Sequence, residues 1–141
     1  MHVSARSDYA VQAMLGIAAA GGATGYPVTA ASLSDTQHIP LSFLQSILLD
    51  LRRAGLLVSH RGTDGGYVLA RSPAEITVGE ILRCVSGELS SIRGTPARLT
   101  TYDGAAYGLH EFWMSVHQAI TDLVDDTTLT DLLTRQRRPV S

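Results

Sequence analysis

The sequence predicts a mainly α-helical protein with one small β-hairpin, and three observations carry that expectation. Apolar residues recur at three- and four-residue steps through residues 7–20, 41–54 and 105–125. Between the last two of these lies HRGTDGGYVLA, residues 60–70, a Gly/Asp loop with short apolar flanks, which is the pattern of a tight hairpin. Two helices joined by a short turn and followed at once by a hairpin give the order of a winged helix-turn-helix.

Each element has its own local reason. Ser7 and Asp8 start the first helix, Ala10, Ala13, Met14, Ile17 and Ala18 share one face, and Gly21-Gly22 closes it. Thr29 caps a short second helix, AASLSDTQ, with Leu33 facing inward, and His38-Ile39-Pro40 breaks it. The third, LSFLQSILLDLRRAG, carries Phe43, Leu44, Ile47, Leu48 and Leu51 and stops at Gly55, in the place of a C′ glycine. After the hairpin, Thr77 and Glu80 form a capping box, and Ile81, Leu82 and Val85 are the apolar side of the helix that follows. Residues 86–104 show no period and read as a long loop, a feature that is usually functional or mobile.

From Ala105 to Asp125 the stripe Leu109, Phe112, Trp113, Val116, Ile120, Leu123 and Val124 predicts a long helix. Outside a small winged domain such a helix has little core of its own to cover, so the expectation is that it packs on a second copy of the chain; folding back on its own domain is the alternative. Thr127-Thr128 then cap a last short helix, LTDLL, and the tail is expected to be disordered. The organisation expected is a winged helix-turn-helix over residues 1–86, a connecting loop over 87–104, a dimerisation helix and short C-terminal helix over 105–133, and a tail over 134–141.

Composition removes several classes of function. At 141 residues and 45% hydrophobic, the chain suits one domain with its own core. No apolar run approaches the roughly 20 residues of a membrane span, and the start lacks the apolar stretch of a secretory signal, so the expectation is a cytoplasmic protein with no membrane partner. A single cysteine, Cys84, allows no intrachain disulfide and no thiolate-built zinc site or cluster. The net charge is −2 and all 11 basic residues are arginines, five of them facing four acids in residues 1–71 and six facing nine in residues 72–141, so a positive face belongs to the first half. The segment HEFWMSVH places its second His seven residues on, which is not the His-Glu-x-x-His zinc spacing, and RGTDGG has no phosphate-loop lysine. No nucleophile, base and acid come together, so the chain is not read as an enzyme.

In a winged helix-turn-helix the helix over 41–54 lies in the major groove of double-stranded DNA and the hairpin tip reaches the neighbouring minor groove. Leu41, Ser42, Phe43, Gln45 and Ser46 would then face base edges, with Gln45 suited to adenine and Phe43 to a thymine methyl group. Ser4, Arg6 and Arg52 or Arg53 would hold phosphates, Arg61 would enter the minor groove, and Gly65 beside Gly62 and Gly66 would let the backbone approach phosphate. Taken alone, RGTDGG would read as a solvated turn; the helix-turn-helix before it changes the reading. The rival is a dimeric protein-interaction module on a winged scaffold, separated from the DNA reader by whether Ser42, Phe43, Gln45, Ser46 and Arg61 are exposed together.

With these motifs laid out, the chain resembles the IscR/NsrR/CymR family of dimeric bacterial transcription regulators, the Rrf-two family. The matching segments are SDYAVQAM from Ser7, IPLSFL from Ile39, LRRAGLL from Leu51, Arg61-Gly62 with Gly65-Gly66-Tyr67, ITVGE from Ile76, and HEFW from His110 with Thr128-Leu129. The resemblance spans about residues 1–133 and implies a homodimeric repressor on a pseudo-palindromic operator. It also implies a loop that in many relatives carries three cysteines for an iron–sulfur cluster. Here residues 87–107 hold none, and only Asp8 and His110 match non-cysteine ligands of relatives, so no cluster is expected as a cofactor. Candidate sensing residues are Asp8, Cys84, Tyr107, His110 and Trp113, with Tyr102 and Phe112 as further walls of an effector pocket, although helix-start aromatics also serve as core. His110 reads as an exposed helix-start residue, a pocket donor or a residual metal ligand, and Cys84 as a small apolar residue unless it is exposed with a lowered pKa.

Overall fold

Helix α1 (Ala5–Ala19) begins two residues earlier than its sequence pattern suggests, because Ser4 rather than Ser7 is the N-cap. The Ser4 hydroxyl accepts from the Ser7 N–H at 3.1 Å, and Ser7 itself turns into the interior. The computed structural model describes residues 2–21, 25–63, 65–87 and 89–135; Gly22, Asp64 and the tail from residue 136, for which disorder was expected, lie outside them. Ala10, Ala13, Met14, Ile17 and Ala18 form the buried face of α1, as their spacing requires.

Thr29 caps α2 (Ala30–Gln37) through the Ser32 N–H, and Leu33 is the residue of α2 that is buried. His38 adopts the left-handed conformation and Pro40 leads directly into α3 (Leu41–Arg53). Leu44, Ile47, Leu48 and Leu51 of α3 are buried against α1. Phe43, apolar but also assigned to the base-facing edge, is 40% exposed, because its position lies at the edge of the buried stripe.

Strands β1 (Leu57–His60) and β2 (Gly66–Leu69) pair antiparallel from Leu57↔Leu69 to His60↔Gly66, forming the hairpin. Val28 adds an isolated bridge to Tyr67, with N–H···O distances of 2.8 and 2.9 Å. That bridge explains Gly66: a Cβ there would lie 2.6 Å from the Val28 backbone, closer than any side chain tolerates.

Helix α4 (Val78–Ser86) opens on the expected capping box, with Thr77 and Glu80 satisfying each other's backbone N–H. The following segment is not the structureless loop its lack of period suggests. Strands β3 (Ser91–Ile92) and β4 (Thr95–Pro96) make a second hairpin whose two loop residues, Arg93 and Gly94, have φ of 51° and 79°. Two positive φ values match the twist of the flanking strands, and two-residue strands are too short to show alternation in sequence. Single 3₁₀ turns follow at Ala97–Leu99 and Gly104–Ala106, so helix α5 (Leu109–Asp126) starts four residues later than Ala105.

The chain then returns to its beginning. Val78 N–H donates to Thr127 O at 2.9 Å, Leu129 N–H donates to Ile76 O at 3.0 Å, and Thr77 bridges Thr128. Thr128 and Asp131 cap α6 (Leu129–Thr134) reciprocally. Leu129 is fully buried in the same core as α1, α3 and α4, so α6 packs with the first half of the chain although it follows α5 in sequence.

Candidate nucleic-acid interface and loop cavity

Burial on one side of α3 dictates what its other side presents. Ser42, Phe43, Gln45 and Ser46 are all exposed and Leu41 is 42% exposed, while Arg52 at the helix end and Arg61 at the hairpin tip also face solvent. Residues 42, 45 and 46 stand three and four apart and therefore share a face, so the outward polar edge that distinguishes a DNA reader is present. No side chain caps the first turn of α3, which leaves its backbone N–H groups to an anionic oxygen such as a phosphate. Sequence reasoning missed this; Pro40 in the cap position, with no hydroxyl or carboxylate to offer, was the available signal.

Three residues assigned to phosphate are engaged within the chain. The Ser4 hydroxyl caps α1 and donates to Ser7 Oγ at 3.0 Å. Arg6 forms an ion pair with Asp50 and its Nη1 donates to Ser46 Oγ at 3.3 Å, so its charge is largely answered before any DNA arrives. Gly65 donates its N–H to Gly62 O at 3.0 Å, which makes it a turn residue rather than a phosphate donor. An unanticipated contact lies beside them: the rings of Tyr9 and Phe43 meet edge to face, with centroids 5.6 Å apart and planes at 84°.

The candidate sensing residues separate into different places. Tyr107 and His110, with Arg98, Thr100, Tyr102 and Glu111, line a cavity of about 530 Å³ between the segment that follows the second hairpin and the start of α5. His110 is half-buried rather than an exposed helix-start residue, and its Nδ1 is buried with no hydrogen-bond partner among the described residues. Trp113 faces a second, smaller cavity of about 270 Å³ with Ile92, Ala97 and Val116, and Phe112 is 56% exposed outside both, so these four aromatics do not form one pocket. Asp8 is exposed and accepts from Gln12 at 2.6 Å. Cys84 is half-buried with its Sγ donating to Asp50 O at 3.4 Å. Burial pushes the Cys84 thiol up, the Asp50 charge adds to this and Arg6 opposes it. A redox-sensing thiol needs the opposite shift, and Cys84 packs against the hydrophobic core.

A helix-turn-helix with an exposed polar reading edge, flanked by a wing carrying Arg61, defines a winged-helix DNA-binding transcriptional regulator. Residues 3–135 match the Rrf2 family, described as "Iron-dependent Transcriptional regulator". The chain is 39% identical over 132 residues to a putative HTH-type transcriptional regulator of Mycobacterium tuberculosis (strain H37Rv), covering 94% of this chain and 81% of the relative. The structure of CymR, the global cysteine regulator of B. subtilis, superposes with a TM-score of 0.82 at 29% identity, over 97% of this chain and 99% of that one. IscR of T. potens superposes with a TM-score of 0.74 at 30% identity, over 99% and 94% of the two chains. The chain belongs to the Rrf2 family, whose members are transcriptional regulators and not enzymes. Among the described residues no helix is long and apolar enough to cross a membrane.

The donor set does not fit the iron site that the family description implies. The one cysteine is tied to a carbonyl on α3, Asp8 bonds along its own helix, and His110 lines a cavity that neither of them reaches. Among the described residues no three His, Cys, Asp or Glu side chains gather as a metal site.

Proposed function

We propose that the chain acts as a homodimer that reads a pseudo-palindromic operator, with α3 of each copy in a major groove and Arg61 in the adjacent minor groove. The observation that carries this is the joint exposure of Ser42, Phe43, Gln45 and Ser46 on α3 with Arg61 on the wing. An adaptor using the scaffold for protein contacts has no reason to present that polar set beside a basic tip. Dimerisation is supported by α5, none of whose 18 residues is buried although Leu109, Phe112 and Leu123 are apolar. In this reading the protein acts in the cytoplasm, as a repressor that blocks the operator by occupying it.

Selection of genomic fragments by the purified protein, followed by titration at two salt concentrations, tests the reading. Enrichment of a palindrome with half-sites about one helical turn apart, and affinity falling steeply with salt, are expected. Arg61→Ala should weaken binding by roughly 1–3 kcal/mol. Unchanged affinity across operators would remove the wing from the interface.

A second reading, control of that binding by a small molecule, is favoured by the cavity at Tyr102, Tyr107 and His110. A ligand there would supply the partner that His110 Nδ1 lacks. Melting of the full chain against a panel of small polar aromatic compounds tests this: a rise in Tm that His110→Ala abolishes supports the site, and no rise across the panel overturns it.

A further inference from the structure

Helix α1 buttresses the outward face of α3 through two residues, Arg6 and Tyr9, three apart and so on one side of the helix. They meet α3 residues that are themselves one turn apart: Tyr9 meets Phe43, and Arg6 meets Ser46 and, one turn further, Asp50. The buried stripe of α3 does not need these contacts, since Leu44, Ile47, Leu48 and Leu51 already fill the core. What Tyr9 and Arg6 fix is the orientation of side chains that point to solvent.

A phenylalanine on the exposed side of a helix without neighbours would exchange between rotamers, and docking would have to freeze it. The near-perpendicular Tyr9–Phe43 pair is the arrangement that ring quadrupoles favour, and Tyr9 is itself anchored against the hydrophobic core. We propose that Tyr9 is a specificity-determining positioning residue: it holds the Phe43 ring at one angle on the reading face, so that discrimination at the base opposite Phe43 is set from α1. This rests on the reading of α3 as the groove helix.

The experiment uses the full chain and an operator obtained by selection, with each thymine replaced in turn by deoxyuridine, which lacks only the methyl group. The wild-type protein should show one thymine per half-site whose replacement weakens binding about fourfold, the factor that one buried methyl group carries. Phe43→Leu should shrink that ratio and so assign the position. Tyr9→Leu should bring the ratio close to one while leaving the salt dependence unchanged, and Tyr9→Phe, which keeps the ring, should restore it. Tyr9→Met takes the place of Tyr9→Leu if the latter loses its cooperative melt. A methyl-sensitive position that survives Tyr9→Leu unchanged overturns the positioning role and leaves the groove reading intact. A wild-type protein with no position sensitive to both the methyl group and Phe43 overturns the base contact itself, and the positioning role falls with it.

Discussion

Helices α3 and α5 carry apolar residues at the same three- and four-residue spacing, yet Leu44, Ile47, Leu48 and Leu51 of α3 are buried while no residue of α5 is. Spacing defines a face, and what covers the face depends on the neighbours that the rest of the chain can bring. Around α3 the chain brings α1, α2, α4 and the first hairpin. Along α5 it brings chiefly α4 and the 3₁₀ turn at Ala97–Leu99, leaving Phe112 at 56% and Leu123 at 66% exposure. The first region is therefore a core closed by the chain's own elements, and the second an apolar surface left open within the chain, the one that the proposed dimer would cover.

Truncating the core should have the largest effect. Leu48→Ala and Leu129→Ala each remove a fully buried side chain and should cost about 2–5 kcal/mol in chemical denaturation. Leu129 sharpens the comparison, since it lies beyond α5 in sequence and should still behave like a residue of α3. Charging the open face should do the reverse: Phe112→Glu with Leu123→Glu should convert a dimer to a monomer in sedimentation, with the melt of the core retained at high protein dilution. A double variant that unfolds outright would mean that α5 belongs to the core after all. Thr77→Ala should cost about 1 kcal/mol, because it removes half of the reciprocal cap at the start of α4.

The smallest expected effect concerns the link between the two regions. Arg83 of α4 grips Asp125 of α5 through two hydrogen bonds of 2.6 and 2.9 Å. The Arg83 hydrogen bond holds the Asp125 carboxyl below its ordinary range, against an opposing effect of burial and with a lesser contribution from the Arg83 charge. A carboxyl lowered in the folded state stabilises above its unfolded pKa, and that contribution is lost as pH falls through the folded value. Both side chains are about two-fifths exposed, so solvent and salt limit the pair to under about 1 kcal/mol. Melting of Asp125→Asn beside the wild type should show a small deficit at neutral pH that closes in acid and shrinks in high salt.

The sequence was most informative where local rules act alone. The face of α1, the Thr29 cap, the Thr77–Glu80 box and the first hairpin need only spacing and side-chain chemistry, and all are present. It was least informative where a residue has two ways to satisfy the same group. Ser4 and Ser7 both suit a cap, and tertiary packing drew Ser7 inside. Arg6 suits a phosphate as well as Asp50, which lies 44 residues away in sequence. The separation of Trp113 from the cavity at His110 was equally hidden, because helix spacing says nothing about which parts of the preceding segment will lie over each side of the helix.

The return of α6 to Ile76 has a consequence for synthesis. On the ribosome, α1 through α4 emerge before the residue that closes their core, and the pocket awaiting Leu129 stays open until α5 and the turn at Thr127-Thr128 have followed. A nascent chain that has already formed α3 therefore cannot complete its core ahead of the helix that follows it, so the exposed edge of α3 and the open apolar face of α5 mature together.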